Sequence, residues 1–533
     1  MRFFRPPTQD QAGVLIGVMA ALFGAWVRLL IPGMAGFPMN DGGLFYVMVH
    51  DLQANGLRIP LYVQYNGLTI PFAYPPLGFY AGGIASNVLH LDVIRVLQWL
   101  PAVVLIAALP AFYLLAKTIL GSSFLAGLAT LLFAFTPRAI TWQIMGGGLT
   151  RSFGQLFLLL ALAFIYEAFA HYTRTRLLLA MLFSSLVVLS HPEAALQAVG
   201  IAILLWIFVG RSRQSAAHAA VIGAGTLTIT AIWWLPAIAH YGVGTLLSAG
   251  QTGQHSLLAL LEPFVVNLAE EPLTTMVAVL GIVGFAILLS RRSLLVPIWF
   301  FAPFLIDPRN ALTNAMIPLD LLAAVALAGA ILPALARTAS GQPQAPGIHL
   351  WQARPAVLFL TFSGLYMLGQ TAYFGTQLAR TALSPDSRIA FQWIRTNTTA
   401  GSRFLLVTGG AEPFCDSTLE WFPALADRQS VTTIQGREWV DGRDFGRFIA
   451  TAHSTAGCLS ADSPLACIES VASAPQSQLI FDYIYVARRT PLVSSCRVLG
   501  VSGETGRLIG ELAHAPAYTQ VYSGEDEVVF RRR

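Results

Sequence analysis

Four short polar clusters interrupt a chain that is otherwise strongly apolar, and each carries residue types that do chemistry. The first is Asn40-Asp41-Gly42. A carboxylate there could take the proton of a hydroxyl as its oxygen attacks an electrophile; the same triplet also reads as the N-cap of a following helix. The second lies in RAITWQIMGGGLTRSFG (138–154), where three glycines expose backbone N–H groups and Arg151 follows at a helix start. Guanidinium, bare amides and a helix N-terminus together suit a phosphate; the alternative is a glycine hinge with an arginine reaching to the membrane surface. The third is SHPEAAL (190–196). His191 could bind a phosphate or a hydroxyl, or help hold a metal with Glu193, although two ligands do not define a metal site. Equally, Pro192 and Glu193 suit the first turn of a helix. The fourth is Arg309 in IDPRNALTNAMIPLD (306–320). A preorganised guanidinium stabilises charge growing on a departing phosphate; an ion pair with Asp307 is the plainer alternative.

The elements that must position these residues are membrane helices. The 533 residues are 55% hydrophobic and 11% charged, with mean hydropathy +0.63, whereas a soluble domain carries about 25% charged residues. Runs long enough to span a bilayer, together with several shorter ones, predict eleven membrane helices. They lie near 12–32, 93–116, 122–137, 153–170, 177–190, 194–210, 217–239, 273–290, 293–306, 316–336 and 355–374. The first run carries Arg28 and no convincing small-residue cleavage site, so it reads as an anchor. With the N-terminus inside, eleven basic residues fall on the cytoplasmic side and five (Arg58, Arg95, Arg138, Arg151 and Arg309) outside, the positive-inside bias. Asp41, Asp51, Asp92, Glu193, Glu262, Glu270, Glu271 and Asp307 all fall outside. The arginines are scattered between apolar runs rather than gathered in a patch, which excludes a nucleic-acid reading.

The first outer loop (33–92) is the longest. Leu44, Met48 and Leu52 recur at helical spacing with Phe45 and Val49 beside them, and Gly56 suits the helix end. Too polar to span, this helix is expected to lie along the membrane surface, with Asp41 at the lipid–water boundary. Tyr74-Pro75-Pro76-Leu77 then turns into the apolar run 77–90. Counting that run as a span would invert every later loop, so it reads as a juxtamembrane or re-entrant helix. The fourth outer loop, 241–272, could close as a lid.

Residues 380–533 read as an outer α/β domain. A helix from Pro385 carries Ile389, Ala390, Trp393 and Ile394 on one face; strand-like runs lie at 404–407, 430–434, 479–486 and 527–530, with a helix after Asp441. All four cysteines (Cys415, Cys458, Cys467, Cys496) follow the last membrane helix, in a compartment that permits disulfides, with three pairings open. Trp421, Arg428, Arg437 and Trp439 could grip a glycan, but core tryptophans and surface arginines are the plainer reading.

An N-terminal anchor, a long outer loop with an early Asp41, YPPLGFY from Tyr74, many membrane helices and an outer globular domain together resemble the GT-C superfamily of integral-membrane glycosyltransferases. Within it, NDGGLFY, GGGLTRSFG, SHPEAAL and EWFPALADRQSVTTIQGREW are similar to a branch named for 6-pyruvoyl-tetrahydropterin synthase, a name that implies no pterin chemistry here. The resemblance implies a polytopic α-helical membrane domain (1–379) with an extracytoplasmic α/β domain (380–533). It implies inverting transfer of a sugar from a polyprenyl-phosphate donor to a glycan, lipid or protein acceptor on the outer face of the cytoplasmic membrane. Asp41 would be the catalytic base, Arg309 and Arg151 would meet the donor phosphate, and Tyr74, His191 and Glu193 would line the site. Many relatives carry a second acid directly after the first; Gly42 stands there in this chain, which leaves a divalent metal open. The rival readings are a lipid or glycan transporter or flippase, and a non-catalytic envelope scaffold.

Overall fold

The computed structural model of the chain describes residues 8–249, 257–340, 353–410, 413–474, 477, 479–488 and 505–533. Cys496 lies outside the described residues, as do the stretch GQPQAPG (341–347), which its proline and glycine content marks as a linker, and residues 250–256 of the fourth outer loop.

Helix α1 (Gln9–Ala35) starts at a Thr8–Gln11 capping box. The first outer loop holds α2 (Gly43–Ala54), a hairpin of β1 (Tyr62–Tyr65) and β2 (Leu68–Pro71), and α3 (Leu77–Leu89). Then come α4 (Val93–Leu120), α5 (Ser123–Phe135), the single turn α6 (Thr141–Ile144), α7 (Gly148–Ala170), α8 (Arg174–Ser190), α9 (Pro192–Phe208) and α10 (Arg213–Ala249). The bundle is completed by α11 (Met276–Ser290), α12 (Leu295–Ile306), α13 (Ala311–Ala326), α14 (Leu332–Ser340) and α15 (Arg354–Ala379).

Each of the eleven apolar runs is helical, but among the described residues six helices are long and apolar enough to cross a membrane. They become seven if α5 and the segment after it, bent by 80°, form one span. The remaining runs fall on helices of 12 to 17 residues. The segment Pro308–Arg337 is the central span, 78% buried, whereas α10 and α15 turn rows of Leu, Ile and Phe outward from the bundle.

Two devices fix the bundle at the two ends of α5. Helices α1 and α5 touch through glycine: a Cβ on Gly13 would stand 2.2 Å from the Ser123 carbonyl oxygen, and one on Gly127 2.2 Å from that of Gly13. Close small-residue contacts of this kind replace the hydrophobic drive that lipid removes. Arg28, 1% exposed, donates to the Ala134 carbonyl at 2.9 Å, where α5 ends and the chain breaks direction. A guanidinium at a helix C-terminus meets orphan carbonyls and the negative end of the helix dipole.

The outer domain starts with α16 (Pro385–Asn397), then β3 (Arg403–Val407), α17 (Ser417–Ala426), β4 (Gln429–Ser430), α18 (Phe445–Gly457), α19 (Pro464–Ser473), β5 (Tyr483–Ala487), α20 (Thr505–His514), β6 (Tyr518–Ser523) and β7 (Glu527–Arg532). The strands form one mixed sheet in the order β4-β3-β5-β7-β6, with β3 parallel to β4 and β5, and β7 antiparallel to β5 and β6. Four details differ from expectation, the first being that the run 479–486 is strand only from Tyr483 onward. The run 430–434 is strand only at its start, because Ser430 and Thr432 turn their hydroxyls onto the backbone. β6 is an additional edge strand, its outward residues too polar to mark it. Ile389 is 60% exposed, and the buried face of α16 uses Ala390, Phe391 and Ile394. Cys458 and Cys467 are disulfide-bonded, and no described cysteine is free.

The predicted apolar face of α2 is the observed one: Leu44, Phe45, Met48, Val49 and Leu52 are buried. What covers it is protein. These residues share a core with Val63, Ile70 and Phe79 of the same loop and with Phe391, Phe404, Trp421, Phe422 and Tyr485 of the outer domain. The expectation of a helix lying on lipid is therefore corrected: the first outer loop is the seam that joins the bundle to the outer domain.

Candidate active site

Asp41 stands on a turn held from three sides. The Trp421 indole N–H donates to the Asn40 carbonyl at 3.1 Å, the Gly146 N–H to the Met39 carbonyl at 2.9 Å, and the Asn40 N–H to the Thr381 carbonyl at 3.1 Å. Asn40 itself takes the left-handed region, φ 51°, which asparagine tolerates better than most side chains. Helix α2 begins after Gly42 with no side-chain cap, so the N-cap alternative for Asp41 is overturned. The carboxylate turns the other way, into the second outer loop: Oδ1 accepts from the Gly147 N–H at 2.8 Å and Oδ2 from Arg151 Nη2 at 2.8 Å.

Two of the three glycines make this approach feasible. A Cβ on Gly146 would lie 1.9 Å from the Asp41 carbonyl oxygen, and one on Gly147 2.5 Å from Asp41 Oδ2 and 2.9 Å from Arg151 Nη2. Arg151 is anchored a second time by its Nε, which donates to the Trp142 carbonyl at 2.8 Å, with the guanidinium 5.7 Å from the Trp142 ring. A glycine hinge with an arginine snorkelling to water is therefore not what this segment is.

A second ion pair lies beside the first. Arg309 Nη1 stands 3.3 Å from Glu193 Oε1, a partner that sequence reasoning did not name. Glu193 also occupies the first turn of α9 behind Pro192, so it serves the helix start and the pair together. His191, 5% exposed, sits in the turn between α8 and α9, and α7 approaches it closely at Gly154. Burial above all holds the imidazole near 4, against the pull of Glu193, with Arg151 and Arg309 adding to the depression. His191 is neutral at physiological pH and offers one donor and one acceptor. Tyr74 packs 6.4 Å from the His191 ring. Burial and then Glu193 push its hydroxyl up to about 12, opposed by Arg151 and Arg309. Asp41, Tyr74, Arg151, His191, Glu193 and Arg309, drawn from four loops, thus form one neighbourhood.

The outer domain adds residues that sequence reasoning passed over. Glu420 in α17 is 4% exposed, and its Oε2 has no hydrogen-bond partner. Burial first, and then Asp41, Glu438 and Asp416, raise its carboxyl well above the ordinary range, with only Arg151 opposing. Glu438, half-buried on a short turn, is raised to about 7, chiefly by burial, while its own and the Gly436 amides and Arg309 oppose. Trp439 lies 6.0 Å from the Tyr74 ring. Glu420 and Glu438 stand near the two ends of EWFPALADRQSVTTIQGREW, the one signal that could have found them. Trp421 is buried, but as the clamp on the Asp41 turn rather than as generic core. Arg428 and Arg437 are structural: Arg428 ties backbone carbonyls of 395, 398 and 427 together, and Arg437 bonds Asp441 and lies over Phe448. In the fourth outer loop Glu270 pairs with Arg138, and Glu271 accepts from the Val277 N–H at the start of α11. Among the described residues no three His, Cys, Asp or Glu side chains converge as a metal site.

No family model and no curated protein matches the chain. Solved structures do. The Archaeoglobus fulgidus oligosaccharyltransferase tethered to an acceptor peptide superposes with TM-score 0.59 at 14% identity, over 89% of this chain and 69% of its own. ArnT from Cupriavidus metallidurans, bound to undecaprenyl phosphate, gives 0.53 at 14% identity over 97% of both chains. The arabinofuranosyltransferase AftD from Mycobacteria gives 0.53 at 16% identity, over 96% of this chain and 40% of its own. The chain shares its fold with these solved glycosyltransferases, and six of its described helices are long and apolar enough to cross a membrane.

Proposed function

We propose that this protein is an inverting glycosyltransferase that moves a sugar from a polyprenyl-phosphate donor to a glycan, lipid or protein acceptor. The reaction would take place on the outer face of the cytoplasmic membrane, with the N-terminus inside, the outer domain outside and the shorter apolar helices completing eleven spans. The placement within the branch named in the sequence analysis is part of this proposal. The observation that carries the reading is the pairing of Asp41 with Arg151 next to Glu193 with Arg309, at the seam between bundle and outer domain. An acceptor hydroxyl would lose its proton to Asp41 as its oxygen bonds the anomeric carbon and the bond from that carbon to the phosphate oxygen breaks. Arg309 and Arg151 would receive the charge that develops on the leaving phosphate. Neutral His191, Tyr74 and Glu193 would orient the sugar, and burial among apolar side chains strengthens each of these contacts.

The test is transfer from synthetic polyprenyl-phosphate sugars by the purified full-length protein and by Asp41→Asn. The expected result is an unchanged melting transition with transfer reduced by about a hundredfold or more, the usual range for a lost general base. Transfer by Asp41→Asn at the wild-type rate would remove the centre of the proposal. A transporter reading draws on one observation: Asp320, fully buried within α13, accepts from the Thr136 hydroxyl at 3.0 Å, and intramembrane acids often mark transport paths.

A further inference from the structure

The seat that suits a phosphate is already filled by the chain's own carboxylate. The Gly147 N–H, the N-terminus of the 23-residue helix α7 and the Arg151 guanidinium converge as an anion site, and Asp41 occupies it with both oxygens. We propose that Asp41 is an internal stand-in for the donor phosphate: the arriving phosphate takes Arg151 and the Gly147 amide, and so releases the carboxylate to act as base. The inference rests on the function proposed above, and it fixes an order, donor before acceptor.

Three observations support an exchange rather than a simple addition. First, the pair closes on Gly147 with no room left: a Cβ there would stand 2.5 Å from Asp41 Oδ2 and 2.9 Å from Arg151 Nη2, so a phosphate that reaches this amide has to displace the carboxylate. An anion entering there meets the carboxylate and the guanidinium together, and two anions compete for one donor edge. Secondly, Arg151 has a separate hold on the Trp142 carbonyl through Nε, so it can change its anionic partner without losing its place. Thirdly, Asp41 is pinned by its backbone, through Trp421, Gly146 and Thr381; the side chain can leave the pair while the turn stays. A second acid, Glu193, stands on Arg309 in the same way at 3.3 Å. Resting arginines that are each covered by a carboxylate from another loop keep the site close to neutral until the donor arrives. A free base would otherwise be open to water and protons before any donor is bound.

The experiment measures the affinity of undecaprenyl phosphate for the detergent-solubilised full chain at fixed pH, in the wild type, Asp41→Asn and Arg151→Gln. Exchange predicts that Asp41→Asn binds about tenfold more tightly, a shift easily read in Kd, and that Arg151→Gln loses binding. Asp41→Ser is the second variant, used if the asparagine protein lacks the wild-type melting transition. Weaker binding by the uncharged variants would overturn the inference and make Asp41 a residue that orients Arg151 for phosphate. Equal binding would overturn it too, since the pair would then be a bystander. A wild-type protein that does not bind undecaprenyl phosphate at all would instead sink the donor assignment, and the exchange with it.

Discussion

Replacing Glu438 with glutamine should stabilise the protein in alkaline solution and leave it unchanged in acid. Glu438 lies on the turn Arg437–Trp439, half-buried at the seam beside Arg309. Burial raises its carboxyl from an ordinary 4.5 to about 7. At about 1.36 kcal/mol for each tenfold change in proton affinity, that amounts to roughly 3 kcal/mol as a ceiling. The folded state keeps its proton after the unfolded chain has lost it. The stabilisation is therefore fully present below about 4.5 and disappears as the pH rises through about 7. Glutamine keeps the shape and the acceptor oxygen for the backbone amides but cannot ionise, so it escapes the alkaline loss. Partial contact with solvent cuts the effect to about 1–2 kcal/mol, worth roughly 3–6 °C in melting temperature for a unit of this size. Tryptophan-fluorescence melts of wild type and Glu438→Gln at about pH 4 and about pH 8.5, either side of the transition, make the comparison. Equal melting temperatures in acid and a gain in alkali are expected. The same shift at both pH values, or a loss in alkali, would refute the burial reasoning.

Trp421→Phe keeps a ring against Phe37 and removes the N–H that holds the Asn40 carbonyl together with the indole edge that packs on Gly42. Transfer should fall by about tenfold through misplacement of Asp41, while undecaprenyl phosphate affinity is retained; an unchanged rate would show that the outer domain does not position the acid. Gly147→Ala must break the Asp41–Arg151 contact, because its Cβ would stand 2.5 Å from the carboxylate; a variant with wild-type melting and transfer would contradict that geometry. Cys458→Ser opens the bridge to Cys467, nine residues on. Loop-closure entropy sets the cost at about 2.5 kcal/mol, read as a lower melting temperature than wild type under non-reducing conditions; an unchanged melting temperature would contradict it. Asp320→Asn should leave transfer within about twofold of wild type, since Asp320 is placed in no catalytic step; abolished transfer would favour a role for the intramembrane acid.

The residue pattern, with the family resemblance, carried the membrane class, the apolar face of α2, the outer domain's class and six of the residues that gather at the seam. Those followed because lipid solvent demands long apolar helices and because charge is costly there, so the few ionisable groups in outer loops stand out. Partners were not legible. That Asp41 pairs with Arg151 and Glu193 with Arg309 depends on which loops the bundle brings side by side, and residues 110 apart in the chain carry no mark of meeting. Glu420 and Glu438 were hidden for the same reason: in a charged outer domain an acid is unremarkable until folding buries it against the bundle. The number of spans was not legible, because several of the apolar runs fall on helices shorter than a bilayer crossing needs by length alone. Chemistry was written in residue types, whereas the choice of which carboxylate covers which guanidinium was made by close backbone approach at Gly146 and Gly147, a property of the folded chain.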